Sequence, residues 1–320
     1  MSLEHLRLEE LVAETGFRPE TLEKVIRLGD LAGDIHRHPL LGRVLVLKGG
    51  TALNLCFGPP QRLSVDLDYN YVGALDRAAM QEARPEVEGA LEALAERKGF
   101  RLQRSPRDHA GRTLYLGYRS SIGVPDQVQV DVNYLFREPL VVTEQCSLWQ
   151  PGQLERPATR IVGLEELCAG KICALLSRRA PRDLYDVAFL PSKVGELWHK
   201  ARFRRFIVAF SSILTHPMSS YGLERLDEID DQSVESQLLP MLQQGRSITA
   251  NRLREMARDA LEPILDLSPQ ELDFVQRVQQ GELRLELLFD PADEIADRFR
   301  RHPAVQWKIR NARAHQKRGV

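Results

Sequence analysis

The chain has 320 residues, 43% of them hydrophobic and 28% charged, with a formal net charge of −1. That length holds two domains of roughly 100–150 residues each, and the composition is that of an ordinary soluble globular protein. The charge balance excludes whole-molecule attraction to nucleic acid, and the absence of any run of about 18 apolar residues excludes a spanning helix. The N-terminus, Met-Ser-Leu-Glu-His-Leu-Arg, lacks the apolar core of a signal peptide, so a cytoplasmic location is expected.

Residues 1–40 carry two amphipathic patterns, Leu3, Leu6 and Leu11–Val12, then Leu22, Val25, Ile26 and Leu28 after Pro19. Both predict helices. Arg43 to Leu47 is short, β-branched and apolar, a strand leading into Gly49-Gly50 and a helical turn over Thr51–Cys56. Glycines between strand and helix let a ligand approach the backbone, and helix N-terminal amides favour anions such as phosphate. By itself Gly-Gly-Thr also suits any tight βα turn.

Gln61 to Tyr71 predicts a strand on which Ser64, Asp66 and Asp68 share one face, with Val65, Leu67 and Tyr69 on the other. Two carboxylates two residues apart on one strand face repel each other, and a cation between them removes the conflict. Ala78 to Gly99 predicts a helix, and Phe100–Arg104 and Thr113–Tyr118 predict strands. In Gln127–Tyr134 the valines 128, 130 and 132 alternate with Gln127, Gln129, Asp131 and Asn133, so Asp131 projects in mid-strand either as part of a solvated polar face or as a candidate third carboxylate beside the Asp pair. Leu140-Val-Val is expected to end the sheet.

Four cysteines (Cys56, Cys146, Cys168, Cys173) show no CxxC pair and no nearby histidine at ligand spacing. Three lie in apolar surroundings, where buried free thiols are expected, and a structural zinc site is not expected.

Beyond the Pro151–Pro157 connection the pattern turns helical. Gly163–Arg178 places Leu164, Leu167, Lys171, Ala174, Leu175 and Arg178 on one face. A lysine beside an apolar stripe needs an anionic partner or a route to water. Pro181 opens the next helix, where Asp183 suits the positive helix start and Asp186, almost a turn further in, needs another reason. Helices follow over 201–214, 234–242, 248–265 and 272–278, with 283–288 possible as an extended segment. Basic residues cluster at Arg202, Arg204 and Arg205, and again from Arg298 to Val320, where eight Lys or Arg occur and no acid follows Asp297. Such segments neutralise RNA phosphates or form solvated faces.

Together these features make a Gly-Gly turn, an Asp-x-Asp strand, a third strand Asp, and a Lys and an Asp on downstream helices. Carboxylates of this kind hold Mg²⁺ (or Mn²⁺) with water completing the octahedron, and metal-bridged phosphates permit in-line attack on a nucleoside triphosphate. A helix-borne lysine neutralises phosphate as a compact cation.

The segments Lys48-Gly-Gly-Thr-Ala-Leu-Asn-Leu, Arg62-Leu-Ser-Val-Asp-Leu-Asp and Lys171…Arg178…Arg182-Asp-Leu-Tyr-Asp186, in this order and spacing, resemble the AbiEii-type nucleotidyltransferase toxins, which include the MenT toxins of mycobacteria. The resemblance covers roughly residues 40–190, and residues 191–320 carry no matching motif. It implies the DNA polymerase β-like nucleotidyltransferase fold: an α+β chain with a small mixed β-sheet core flanked by helices, then a mainly helical C-terminal domain. Residues 1–150 are expected to form the sheet domain and 151–320 the helical one, whose first helices (about 163–190) complete the active site. The resemblance also implies that Asp66 and Asp68 bind metal, with Asp131 in a third position that varies among these toxins. It puts Lys48, Gly49, Gly50, Thr51, Arg62 and Ser64 at the nucleotide, and Lys171 and Asp186 at the family's downstream essential positions, with Lys171 at the triphosphate. Thr51 in place of serine is typical of the family.

Such toxins use an NTP with Mg²⁺. Several add nucleotides to the 3′ end of tRNA and so stop translation, countered by a cognate antitoxin, AbiEi-like or of another kind. No membrane partner is expected. Nucleotidylation of a protein or small molecule, and GTP binding without turnover, are the alternatives.

Overall fold

The computed structural model describes residues 5–318 apart from Arg107 and His109. Leu3 and the terminal Gly319–Val320 lie outside the described residues. Two units are present, Met1–Gly163 with Leu239–Arg246, and Leu164–Leu238 with Ser247–Val320. The first therefore runs past residue 150 and recovers a short segment from the later chain. Within it Leu63 donates its N–H to the Met241 carbonyl at 2.8 Å, and Arg62 bridges Leu242.

The first unit begins with α1 (His5–Thr15), α2 (Pro19–Arg37) and α3 (Leu41–Val44). Pro19 suits the first turn of α2 because its missing N–H would find no helical partner there. Then come β1 (Leu45–Lys48), α4 (Gly49–Leu55), β2 (Asp66–Tyr71), α5 (Arg77–Arg97), β3 (Arg101–Arg104), β4 (Gly111–Arg119), β5 (Pro125–Asn133), β6 (Glu144–Ser147) and β7 (Ala158–Ile161). Asp76 caps α5 by accepting the Ala79 N–H at 3.0 Å, and Gly99 at φ +81° lets the chain leave it.

The seven strands form one mixed sheet in the order β3-β4-β5-β2-β1-β7-β6. β1 and β2 are antiparallel, β2 and β5 parallel, and β1 and β7 parallel. The alternation read in the sequence appears directly in β5, where Val128, Val130 and Val132 are buried and Gln129, Asp131 and Asn133 are half-buried. Leu22, Val25, Leu28 and Leu31 of α2 and Leu45, Val46, Leu47 and Leu67 of the sheet are buried, with α2 packed on β2, β5 and β7. Truncating any of these leucines to alanine costs about 2–5 kcal/mol through reduced burial and the cavity left behind.

Four expectations are corrected. The carboxylate strand begins at Asp66, so Ser64 precedes it: after Gly58-Pro59-Pro60 the chain is held by the Arg62–Leu242 bridge instead of a ladder. Leu140-Val-Val does not end the sheet, because β6 and β7 follow, and Ile161 pairs with Leu47. Their four-residue length and mixed polarity give no periodic signature, and a parallel pairing is non-local. Residues 285–287 form a 3₁₀ turn and not an extended segment. Finally, Cys56 and Cys146 form a disulfide, leaving Cys168 and Cys173 as buried free thiols. The 90-residue separation of the bridged pair hides it from sequence spacing.

The second unit is helical: α6 (Leu164–Arg178), α7 (Pro181–Val194), α8 (Ala201–Phe210), α9 (Asp231–Gln237), α10 (Ala250–Leu265), α11 (Pro269–Gln279), α12 (Glu294–Arg301) and α13 (Pro303–Arg318). α7 packs on both α6 and α10. Its core contains Phe203, Phe206, Phe210, Leu253, Leu261, Phe274 and Phe299. Arg204 of the basic cluster is structural: its guanidinium bonds the Glu271 carboxylate at 2.9 and 3.0 Å and reaches the carbonyls of Pro263 and Asp266.

Candidate active site

In the first unit the sheet aligns one residue from each of four neighbouring strands. Thr113 of β4 stands opposite Asp131 of β5, Asp131 opposite Asp68 of β2, and Asp68 opposite Lys48 of β1. The row below repeats the pattern with Gln129 opposite Asp66. Because strand side chains alternate, Asp66 and Asp68 project to the same face.

The two carboxylates are half-exposed, while Leu67 between them is fully buried. At the ~7 Å repeat of a strand and an effective dielectric of about 20, their repulsion is roughly 2 kcal/mol. The Lys48 ammonium, 4.0 Å from the nearer Asp68 oxygen and equally exposed, offsets only part of that. A divalent cation would offset it fully, and the pair supplies the hard oxygen donors Mg²⁺ prefers. Asp131 is differently placed. Its two oxygens accept hydrogen bonds from the Thr113 hydroxyl and, at 2.6 Å, from the Gln129 amide. Among the described residues no three His, Cys, Asp or Glu side chains already converge on one point. The structure thus fits a cation held first by Asp66 and Asp68, with Asp131 steered by its two neighbours.

The Gly-Gly segment is the N-terminus of α4 and not a separate turn. Gly49 has φ +73°, and a Cβ there would lie 2.2 Å from an Asp68 oxygen. Only glycine accepts both that backbone and that proximity. A Cβ on Gly50 would lie 2.7 Å from the Ser64 hydroxyl and 3.2 Å from the Arg62 guanidinium. Thr51 ties α4 to the carboxylate strand, its hydroxyl donating to the Asp66 carbonyl. Arg62, Ser64 and Thr51 are all buried, and Arg62 donates to the Leu63 carbonyl at 2.8 Å. The segment predicted for the nucleotide therefore gathers around Gly50, with Arg62 and Ser64 packed beneath it.

Lys171 and Asp186 meet in the second unit. The buried Lys171 ammonium lies 2.8 Å from Asp186 and 3.1 Å from Asp183. Asp183, fully buried, also accepts two bonds from Arg178 at 2.6 and 3.0 Å. Burial pushes the Asp183 carboxyl up, but the Lys171 charge and the Arg178 bonds outweigh it and hold it below the usual range. Two cations and two anions balance, which is what permits Lys171, Asp183 and Asp186 to be buried while Arg178 reaches them from the exposed side. Asp183 is the residue that sequence reasoning assigned too little. Its five-residue spacing from Arg178 across Pro181 was visible, but a helix-start role accounted for it equally well. Thr113 and Gln129 were missed for the same reason, as ordinary polar strand residues.

A family profile described as "Nucleotidyl transferase AbiEii toxin, Type IV TA system" matches residues 36–275. Among solved structures the chain is similar to MenT4, a nucleotidyltransferase toxin from Mycobacterium tuberculosis H37Rv, with a TM-score of 0.62 at 18% identity, over 92% of this chain and 98% of that one. A second structure, from H. pylori and provisionally assigned as a nucleotidyltransferase, aligns with a TM-score of 0.43 at 17% identity over 84% and 99% of the two chains. At 18% identity the likeness to MenT4 speaks to the fold. No curated protein matches the chain.

Proposed function

Because the chain belongs to the AbiEii nucleotidyltransferase toxin family, we propose that it transfers nucleotides from an NTP to an RNA acceptor, the 3′ end of tRNA, and thereby blocks translation. The observation that carries the proposal is the Asp66/Asp68 pair, aligned with Asp131 on β5 and closed on one side by Gly49. Mg²⁺, or Mn²⁺ in its place, would be held by Asp66 and Asp68, with Asp131 in a weaker third position. It would supply charge neutralisation of the triphosphate for in-line displacement.

The chain's own groups do the rest. Gly49 and Gly50 let a phosphate approach the backbone, with Lys48 beside them and Thr51, Arg62 and Ser64 fixing the segment. Lys171 is the cation assigned to the triphosphate. Asp183 at 3.1 Å and Asp186 at 2.8 Å fix the position of its ammonium. A cognate antitoxin, AbiEi-like or other, is the partner in this reading.

Incubation with each α-labelled NTP, Mg²⁺ and total tRNA tests it. Label on the tRNA 3′ end, abolished in Asp66→Ala, supports the proposal. Label on protein or on a small acceptor with tRNA untouched, or tight GTP binding with no product on any acceptor, overturns it.

A further inference from the structure

The last helix carries basic residues with no acid of its own, as α8 does, but its cations are partnered differently. α13 contains Lys308, Arg310, Arg313, Lys317 and Arg318 and no acidic residue. The basic residues of the neighbouring helical segments include several that are neutralised: Arg202 bonds Asp293, Arg204 bonds Glu271, Arg258 bonds Asp227 and Arg300 bonds Asp297. On α13 the described cations have no carboxylate partner. Lys308 donates to the Leu214 and Thr215 carbonyls at 2.8 Å, and Arg313 to the Gly281 carbonyl at 2.7 Å. These bonds place the charges without cancelling them, and Arg310 is exposed with no partner among the described residues.

The underside of α13 is apolar and occupied, with Ala304, Val305 and Ile309 at 0–3% exposure. The opposite side presents Trp307, Arg310 and Ala314 at i, i+3, i+7 spacing, all exposed. Trp307 is 45% exposed and is the one aromatic among the exposed large hydrophobic residues described. An indole left in water beside unneutralised arginines, with a small residue one turn on, is a poor solvated face. It has the composition of a surface for an unpaired nucleic-acid strand, where bases stack on aromatic rings and phosphates meet cations.

We propose that the exposed side of α13, centred on Trp307 and Arg310, is a docking surface for single-stranded RNA. Arg310 and Arg313 take backbone phosphates and Trp307 takes a base. The proposal rests on the RNA-acceptor reading above for its choice of RNA, and it assigns to the helical unit a binding role separate from the carboxylates of the sheet.

The test is fluorescence anisotropy of the full chain against a short labelled single-stranded RNA, with total tRNA as competitor, at rising salt. Trp307→Ala is expected to weaken binding about fivefold or more, with Trp307→Phe restoring most of it. Arg310→Glu is expected to weaken it and to flatten the plot of log affinity against log salt by about 0.7 for each phosphate no longer neutralised. Arg310→Lys keeps the slope. Thermal melts establish that each variant is folded. RNA affinity and slope unchanged in folded Trp307→Ala and Arg310→Glu would overturn the inference, as would an effect confined to anionic vesicles or to self-association. The labelled-NTP assay separates the two readings. Wild-type label on tRNA with unaffected variant binding sinks only the α13 surface. No label on any RNA, with binding that falls in the variants, sinks only the acceptor reading.

Discussion

Asp68 and Asp131 stand directly opposite each other in the parallel β2–β5 pair, yet only Asp131 has both oxygens taken by neighbouring side chains. Asp68 has Lys48 at 4.0 Å as its nearest cation. The two carboxylates therefore differ in how fully their oxygens are engaged although they share a row of the sheet.

Asp66→Asn or Asp68→Asn is accordingly expected to lower nucleotide transfer by at least about a hundredfold, the scale for removing one preorganised electrostatic group. Asp68→Asn also relieves a repulsion of roughly 2 kcal/mol, so without metal that variant should melt at the wild-type temperature or above it. EDTA should abolish transfer, and added Mg²⁺ or Mn²⁺ should restore it. Melting temperatures with and without Mg²⁺ check the pairing of effects. A variant both less active and much less stable would point to a structural role for the pair.

Thr113 and Gln129 both donate hydrogen bonds to Asp131, and in the proposed function they act through it. Thr113→Val removes a donor and leaves the shape, so the expected effect is about tenfold on the Mg²⁺ concentration needed for half-maximal transfer, with little change at saturating metal. Thr113→Ser should recover the wild-type dependence. A Mg²⁺ titration of the transfer rate measures this directly.

Gly49→Ala places a methyl 2.2 Å from an Asp68 oxygen at a φ of +73°. The backbone term alone costs about 1–2 kcal/mol, and Asp68 must also move. Both melting temperature and transfer rate should fall. Gly58→Ala is the control: its φ is +89° with nothing within 4 Å, so stability should fall and the rate should hold.

Much of this was legible in the sequence. Alternation gave β5 its buried valines and its projecting Asp131, and it put Asp66 and Asp68 on one face, because burial and pleat act on every residue of a strand. Helices with long apolar stripes, α2, α5, α6 and α10, were equally plain. What stayed hidden was set by partners distant in sequence. Ser64 reads as strand, but its surroundings are decided by Arg62 meeting Leu242. β7 falls unassigned between the Pro151–Pro157 connection and the helix from Gly163, but it joins the sheet through Leu47. Asp183 reads as a helix start, but its burial is decided by a lysine twelve residues earlier.

The Cys56–Cys146 bridge joins the end of α4 to β6 across 90 residues. Closing a loop of that length restricts the unfolded chain, and removing the link typically costs about 2–4 kcal/mol. Cys146→Ser, or a reductant such as TCEP, is expected to lower the melting temperature, and the two treatments should not add. Cys168 and Cys173 are buried, and burial pushes both thiols up, Cys173 to about 12. They should react with a thiol reagent only after unfolding, so a titration of free thiols in native and denatured protein counts the bridge.

Acid stability tests the Lys171 cluster. The Asp183 carboxyl sits below its ordinary value of 3.8 in the fold because the Lys171 charge and the Arg178 bonds outweigh burial. The native state then binds fewer protons than the unfolded chain near that pH. The stabilisation is fully present above about pH 4 and is lost as pH falls through the lowered native value. Asp183→Asn leaves Lys171 with Asp186 and deprives Arg178 of its carboxylate, at a cost of roughly 3 kcal/mol at neutral pH. The gap in melting temperature between wild type and Asp183→Asn should therefore be widest near pH 7 and narrow steadily below about pH 4. Arg178→Ala removes a side chain that is 65% exposed, and solvent screening limits its cost to about 1 kcal/mol. A gap independent of pH would mean that Asp183 stabilises by shape and hydrogen bonding and not by charge.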